Sequence, residues 1–304
     1  MATVVGAVCL PNPVMTASGT AGYGLELAQY MDYSQLGAVV VKSLAPYEWA
    51  GNTPPRLHPV PAGMINSVGL QGVGLGRWLQ EELPSLVEAG ARVVVSIWGR
   101  TVHDYATASE MLSDLDGEAA NAVVAVEVNV SCPNHQDRGR MFSHSAVATS
   151  DVLAATALCG IACWAKLSVT GNLTEIASAA IEAGATGLTL INTLLGMVID
   201  TEARKPVLGV VGGGVSGAAI GPVALRAVYD VHAAMPEVPI VGVGGIASGV
   251  DAVAMLMAGA SAVQVGTATF ADPRAPIKVL MGLQHWCEQH KIASVQDLVG
   301  VAHG

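Results

Sequence analysis

The sequence predicts an α/β protein, a TIM-type (β/α)8 barrel occupying residues 1–304 as a single domain. Three observations lead there. Short apolar runs rich in Val, Ile and Ala alternate with stretches of helical spacing along the whole length, as a parallel sheet with helical crossovers requires. Eight such runs can be counted with the short one at Met64 included, which favours a closed barrel over an open sheet. Polar or glycine residues follow many of them, at the strand ends where barrels carry their chemistry.

Ahead of the first helix, predicted at 26–35, Pro11-Asn12-Pro13 and Ala17-Ser18-Gly19 form a loop in which Ser18 can approach a ligand closely. A strand at 38–41 ends in Lys42-Ser43. The proline-rich stretch 51–61, with Arg56, reads as irregular surface chain. It leads to a short strand at Met64 ending in Asn66, Ser67, Val68, Gly69 and Leu70, a polar turn fit for a small planar ligand. A helix at 77–89, stopped by Gly90, precedes the strand 92–97, and a helix at 104–115 precedes the strand 123–130. That strand is almost continuously β-branched and alanine, interrupted by Glu127, the pattern of a strand buried on both faces. It ends in Asn129-Val130-Ser131-Cys132-Pro133-Asn134, where Pro133 cannot continue it. The polar, basic loop 135–145 is a candidate lid. Helix 150–158, strand 161–167 carrying Lys166, helix 173–183 and strand 187–191 followed by Asn192-Thr193 continue the alternation. A glycine-rich loop, a helix at 222–234, a strand at 239–243 with Gly244-Gly245, a helix at 249–258 and a strand at 262–265 with Gly266-Thr267 complete it.

A formal net charge of −10 with only 14 scattered Lys and Arg argues against nucleic acid as a partner. Five irregularly spaced cysteines suggest neither a disulfide framework nor a metal site and fit a reducing cytoplasm. No HExxH-like histidine pair occurs, so no metal is expected. The start of the chain lacks a signal-peptide pattern. Residues 207–225 carry no charge, but six glycines and Pro222 make them a poor spanning helix, and no membrane segment is expected.

Cys132 at the carboxyl end of a buried strand reads as a functional thiol, although a buried cysteine is also an ordinary small hydrophobe. His135, three residues on, admits a thiolate-imidazole couple. Gly212, Gly214 and Gly217 satisfy GxGxxG, a weak dinucleotide signal this late in a glycine-rich chain. The glycine pairs after the last two strands are more informative, since barrels bind phosphate there through backbone N–H groups, with Thr267 adding a hydroxyl.

These segments together resemble the dihydroorotate dehydrogenases, FMN-dependent barrels of pyrimidine synthesis. The resemblance is carried in order by Ala17-Ser18-Gly19, Val41-Lys42-Ser43, residues 52–56, 66–71, 129–134, 165–168, 191–196 and 213–217, Gly244-Gly245 and Gly266-Thr267. It implies that Cys132 is the base for the C5 proton of dihydroorotate while hydride leaves C6 for the flavin. That role needs an accessible thiolate in a poised, partly exposed setting. It further implies that Lys42, Asn66, Ser67, Val68, Gly69, Leu70, Asn129, Asn192 and Thr193 hold the substrate. Ser18, Lys42, Ser43, Ser96, Asn129, Lys166, Ile191, Gly217, Gly244, Gly245, Gly266 and Thr267 would hold FMN, with Lys166 at the flavin's pyrimidine edge. Ser96 stands where the family often has asparagine, and Ala218 where proline is common. A cysteine rather than a serine base resembles class 1 and not the quinone-linked class 2, and the run Asn192-Thr193-Leu194-Leu195-Gly196-Met197 is closer to the NAD-linked class 1B than to class 1A. The fumarate-linked class 1A, dihydropyrimidine dehydrogenase and tRNA dihydrouridine synthase are the alternatives. Class 1B implies a partner subunit carrying FAD and an iron-sulfur cluster, and the assembly expected is a homodimer core or a heterotetramer.

Overall fold

Period-two alternation in the strands decides which side chains fill a barrel and which face its helices. The computed structural model describes residues 1–132, 141–169 and 171–304. β1 (Thr3–Val5) and β2 (Val8–Leu10) pair as an antiparallel hairpin. β3 (Val14–Thr16) and β4 (Val39–Val40) open the barrel, and β5 (Leu57–Val60) and β6 (Gly63–Asn66) leave it as a second hairpin. β7 (Val93–Ile97), β8 (Val123–Asn129), β9 (Cys163–Leu167) and β10 (Gly187–Leu190) continue the barrel wall. A further excursion holds β11 (Leu194–Gly196), β12 (Ile199–Asp200), β13 (Lys205–Pro206) and β14 (Gly213–Ser216). β15 (Ile240–Val243) and β16 (Ala262–Val265) finish the wall.

The eight wall strands are ordered β3-β16-β15-β10-β9-β8-β7-β4, parallel throughout, and a parallel bridge between Met15 and Ala38 closes the ring. This is the predicted TIM barrel. Inside it, Met15, Val40, Val94, Ala125, Trp164, Val241 and Ala262 form an apolar layer, plugged from below by Val5, Val8 and Leu10 of the first hairpin. Alternate residues such as Val93, Val95, Val126 and Val128 face outward into the larger core shared with the helices. Above the apolar layer the inward positions turn polar, at Ser96, Glu127, Lys166 and Gln264, all buried.

The helices follow the expected alternation. α1 (Leu75–Glu81) and α2 (Leu83–Glu88) replace the single helix expected over 77–89, because Pro84 starts a new first turn after Glu82. α3 (Val102–Ser113) opens with a capping box in which Thr101 accepts from the Asp104 N–H and Asp104 accepts in return. α4 (Gly117–Ala122), α5 (Ala146–Thr156), α6 (Leu173–Glu182) and α7 (Gly221–Ala234) come next. α8 (Gly249–Met257), α9 (Ala268–Ala271) and α10 (Ala275–Gln289) end the series. α10 went unpredicted, although Val279, Leu280, Leu283 and Cys287 bury one face of it.

Two expectations need correction. The strand at Met64 is not part of the wall: β6 pairs antiparallel with β5 and β14 in a separate four-stranded sheet ordered β11-β14-β6-β5. The wall strand in its place is β3, whose three residues between Pro13 and Ser18 are too few to show a period. The helix expected over 26–35 is absent apart from a 3-10 turn at Tyr33–Gln35. There the Glu26 carboxylate accepts from the N–H groups of Tyr23 and Gly24, and the Tyr33 hydroxyl donates to the Gly24 carbonyl, holding a loop instead. Of the candidate lid over 135–145, residues 135–140 lie outside the described residues, and so does His135. No helix among the described residues is long and apolar enough to cross a membrane, and residues 207–225 form β14 and the start of α7.

Candidate active site

The parallel strands all point their carboxyl ends to one mouth, and the residues just beyond each strand form the sides of a shared cavity. That cavity measures about 690 Å³, within the usual size of small-molecule sites. Ser18 enters from the loop after β3, Lys42 and Ser43 from the end of β4, and Asn129 from the last position of β8. Lys166 comes from β9, and Ile191, Asn192 and Thr193 from the chain after β10. The antiparallel sheet contributes Asn66, with Val68, Gly69 and Leu70 beyond it, and Gly217. Gly244 and Gly245 follow β15, and Gly266 and Thr267 follow β16. Gly244 at φ +127° and Gly245 at φ +78° hold turns that L side chains adopt only with strain.

Buried hydrogen bonds fix the floor. Glu127, with no exposed surface, accepts from Lys166 Nζ at 3.0 Å, from Gln264 Nε2 at 2.7 Å and from Ser96 Oγ at 3.3 Å. Ser96 pairs with Ser43 through their hydroxyls at 2.9 Å, and Ser43 with Ser18 at 3.1 Å. Asn129 Nδ2 donates to Ser43 Oγ at 3.2 Å, while its Oδ1 accepts from Asn192 Nδ2 at 3.1 Å. The polar chain thus runs unbroken from the barrel centre to the rim. On the far side Thr267 Oγ1 donates to Ser216 Oγ at 2.8 Å.

Three ammonium groups line this cavity, and that of Lys278 is paired with Asp272. Lys166 is neutralised by Glu127, whereas Lys42 has no salt bridge among the described residues. Burial pushes the Lys42 pKa down; Cys132 opposes that shift and the charge of Lys166 adds to it. A cavity with a half-buried, uncompensated cation and several backbone and hydroxyl donors is built to receive an anion.

Ser67, Ser96 and Cys132 are the sequence-expected site residues that do not line the cavity. Ser96 sits beneath it, one hydrogen bond behind Ser43. Ser67 is buried and donates its backbone N–H to the Arg56 carbonyl, on the other side of the turn that carries Asn66 and Val68. Cys132 departs from the poised, partly exposed thiol expected of it. Its sulfur is fully buried, packed with Ala45 and Trp98 and flanked by Tyr47, Trp49 and Leu70, and it donates to the Asn129 carbonyl at 3.3 Å. Burial pushes its pKa up to about 12, with the Tyr105 hydroxyl and the charge of Lys42 acting the other way.

Sequence reasoning missed Glu127, Gln264, Ser131 and Lys278, the last two of which line the cavity. Glu127 did carry a signal, as the one charge in an apolar strand. No group of three or more His, Cys, Asp or Glu able to hold a metal occurs among the described residues.

Fold and site together define a barrel enzyme with an anion-receiving mouth floored by a buried ion pair. A family model described as dihydroorotate dehydrogenase matches residues 1–286, and the chain belongs to that family. It is 43% identical over 304 residues to the "Dihydroorotate dehydrogenase B (NAD(+)), catalytic subunit" of Alkaliphilus oremlandii, covering 99% of this chain and 98% of the relative. It is 45% identical over 303 residues to the protein of the same description in Alkaliphilus metalliredigens, covering 97% and 96%. The corresponding protein of Trichlorobacter lovleyi is 44% identical over 309 residues, covering 100% and 99%. The resemblance to class 1B is thereby borne out.

Glu127→Ala is expected to lower stability by about 3–5 kcal/mol in urea denaturation, because it leaves Lys166 and Gln264 buried without their acceptor. A loss within error of zero would show that the floor tolerates an unpaired ammonium.

Proposed function

We propose that the chain is the catalytic subunit of a class 1B dihydroorotate dehydrogenase, binding FMN in the barrel mouth and oxidising (S)-dihydroorotate to orotate for pyrimidine synthesis. The observation that carries this reading is the convergence of Lys42, Asn129, Asn192, Lys166 and the glycine turns on one cavity, in a chain of this family.

The residues fit FMN. Gly244, Gly245, Gly266 and Thr267 offer a backbone and hydroxyl cradle suited to a phosphate, with the Ser216 and Thr267 hydroxyls already paired. Lys166, anchored on Glu127, is a fixed cation suited to the pyrimidine edge of a flavin, and Ser18, Ser43, Ile191 and Gly217 line the space between. FMN bound there supplies the acceptor for the hydride from C6 of dihydroorotate. Lys42, Asn66, Asn129, Asn192 and Thr193 offer the donors and acceptors that an orotate carboxylate and ring amides require. Val68, Gly69 and Leu70 close the turn over them.

Cys132 is the base for the C5 proton. To meet C5 its sulfur must turn from the Asn129 carbonyl toward the cavity, where the neighbouring Ser131 already lines the wall. Lys42 favours its thiolate once there. Five free cysteines support the reducing cytoplasm as the place of work. The relatives' description as an NAD(+)-linked catalytic subunit supports a partner that carries the electrons onward. We assign to that partner FAD and an iron-sulfur cluster, in a heterotetramer of two subunits of each kind. The excursion after β10 exposes Leu195, Met197 and Ile199, apolar side chains suited to a protein neighbour.

Without oxygen, dihydroorotate should bleach the yellow, flavin-loaded chain, and Cys132→Ala should abolish bleaching at neutral pH while leaving FMN bound. Because burial keeps Cys132 protonated until about 12, the thiolate fraction grows with pH, so the wild-type bleaching rate should rise across the neutral and mildly alkaline range. Bleaching by Cys132→Ala at the wild-type rate would sink the assignment of the base. The isolated chain should pass electrons to an artificial dye yet reduce NAD poorly, and brisk NAD reduction without a partner would remove the need for one.

A further inference from the structure

A thiol held up at about 12 by burial is a poor base until something stabilises its anion, and the packing around Cys132 contains one hydroxyl placed to do so. Tyr105, on α3, is fully buried. Its ring stands edge-on to Phe142 at 5.6 Å, and its hydroxyl donates to the Asn129 carbonyl at 2.8 Å. Cys132 Sγ donates to that same carbonyl at 3.3 Å. Two donors from separate elements therefore share one oxygen, which places the Tyr105 hydroxyl and the sulfur on the same acceptor.

Ionisation of Cys132 breaks this arrangement in a defined way. A thiolate cannot donate, so the sulfur would face the Asn129 carbonyl oxygen with no proton between them. The Tyr105 O–H can leave that carbonyl and donate to sulfur, removing the repulsion with one bond rotation. Resting on the reading of Cys132 as base, we infer that Tyr105 is the positioning residue for that base, a hydrogen-bond switch whose hydroxyl moves from Asn129 O to the Cys132 thiolate. When the C5–H bond of the substrate breaks and its proton forms the S–H bond, the sulfur donates to Asn129 again and the hydroxyl returns.

Among the described residues, the other polar and charged groups around this switch are accounted for. Lys42, at the end of β4, supplies a cation that favours the thiolate. The Tyr47 hydroxyl is already engaged, donating to the Asp104 carboxylate at 3.1 Å. Burial above all, with the charges of Cys132 and Asp104 adding to it, disfavours ionisation of Tyr105, which keeps the phenol a donor and prevents it from becoming the anion in place of Cys132. Arg100 lies over the Trp49 ring at 4.6 Å. The Trp98 indole N–H is buried without a hydrogen-bond partner among the described residues and is the competing donor that the experiment must separate.

The test uses the flavin-loaded chain and its Tyr105→Phe, Trp98→Phe and Phe142→Leu variants, in anaerobic stopped-flow bleaching by dihydroorotate as a function of pH. Loss of a hydrogen bond to a charged group should displace the rising limb of the Tyr105→Phe profile upward by roughly one pH unit or more. Bleaching should slow at least about threefold below that limb, with orotate affinity nearly unchanged. In Phe142→Leu, which disturbs the same packing and keeps the hydroxyl, the limb should stay in place. An unmoved limb in Tyr105→Phe, or a shift equalled by Trp98→Phe or Phe142→Leu, would overturn the inference. The pH dependence of Cys132 alkylation by iodoacetamide, read by mass spectrometry, scores the switch even if Cys132 is not the base. A Tyr105→Phe curve displaced to higher pH supports it, and one superimposed on wild type overturns it.

Discussion

A carboxylate with no access to water sits at the centre of this barrel, and much of the architecture above it results from satisfying that one group. Burying Glu127 alone would cost several kcal/mol, so its two oxygens must find donors inside the wall. They find Lys166 on the adjoining strand, Gln264 across the interior and Ser96 beside it. Because Lys166 is held from below, its ammonium becomes a fixed feature of the cavity floor. Ser96 in turn orders Ser43, and Ser43 orders Ser18 and the Asn129 amide. The floor of the site is therefore pre-set by the wall.

Above that floor, two demands conflict. The apolar pocket of Trp98, Trp49 and Tyr47 keeps Cys132 from water and holds it as a thiol, whereas proton abstraction needs the thiolate. Lys42 works against the pocket through its charge, and Tyr105 would do so through the hydrogen bond proposed above. In the proposed role of base, a thiol tuned in this way would be silent until substrate draws it out, which would keep a reactive thiolate from standing idle beside a redox group. The same burial explains why Lys42 is held below the ordinary lysine range: it is the cation of the pair with the least compensation.

Much of this was legible in the sequence because polar residues in strand exits leave a mark against apolar runs. Lys42, Asn129, Lys166, Asn192 and the Gly244-Gly245 and Gly266-Thr267 turns all stood at such exits, and all line the cavity. What failed did so for identifiable reasons. Val14–Thr16 is too short to display a period, while Met64 and Ile65 looked like a wall strand although their partners lie in an antiparallel sheet. The segment 26–35 had helical composition, but Glu26 satisfies loop N–H groups instead of a first turn. Cys132 was placed in the right loop and in the wrong environment, since the aromatic residues that bury it come from two other segments of the chain. Glu127 was noticed as an interruption, and its partner Gln264 was invisible because 137 residues separate the two.

The central claim is that the cavity above the Glu127–Lys166 pair holds a flavin whose pyrimidine edge faces the Lys166 ammonium. Potentiometric titration of the flavin-loaded chain and of its Lys166→Gln variant tests it most directly, since a cation at that edge stabilises the reduced, negatively charged flavin. A lower midpoint potential in the variant, with FMN still bound, is the expected result. An unchanged potential would contradict the placement of the flavin over that charge.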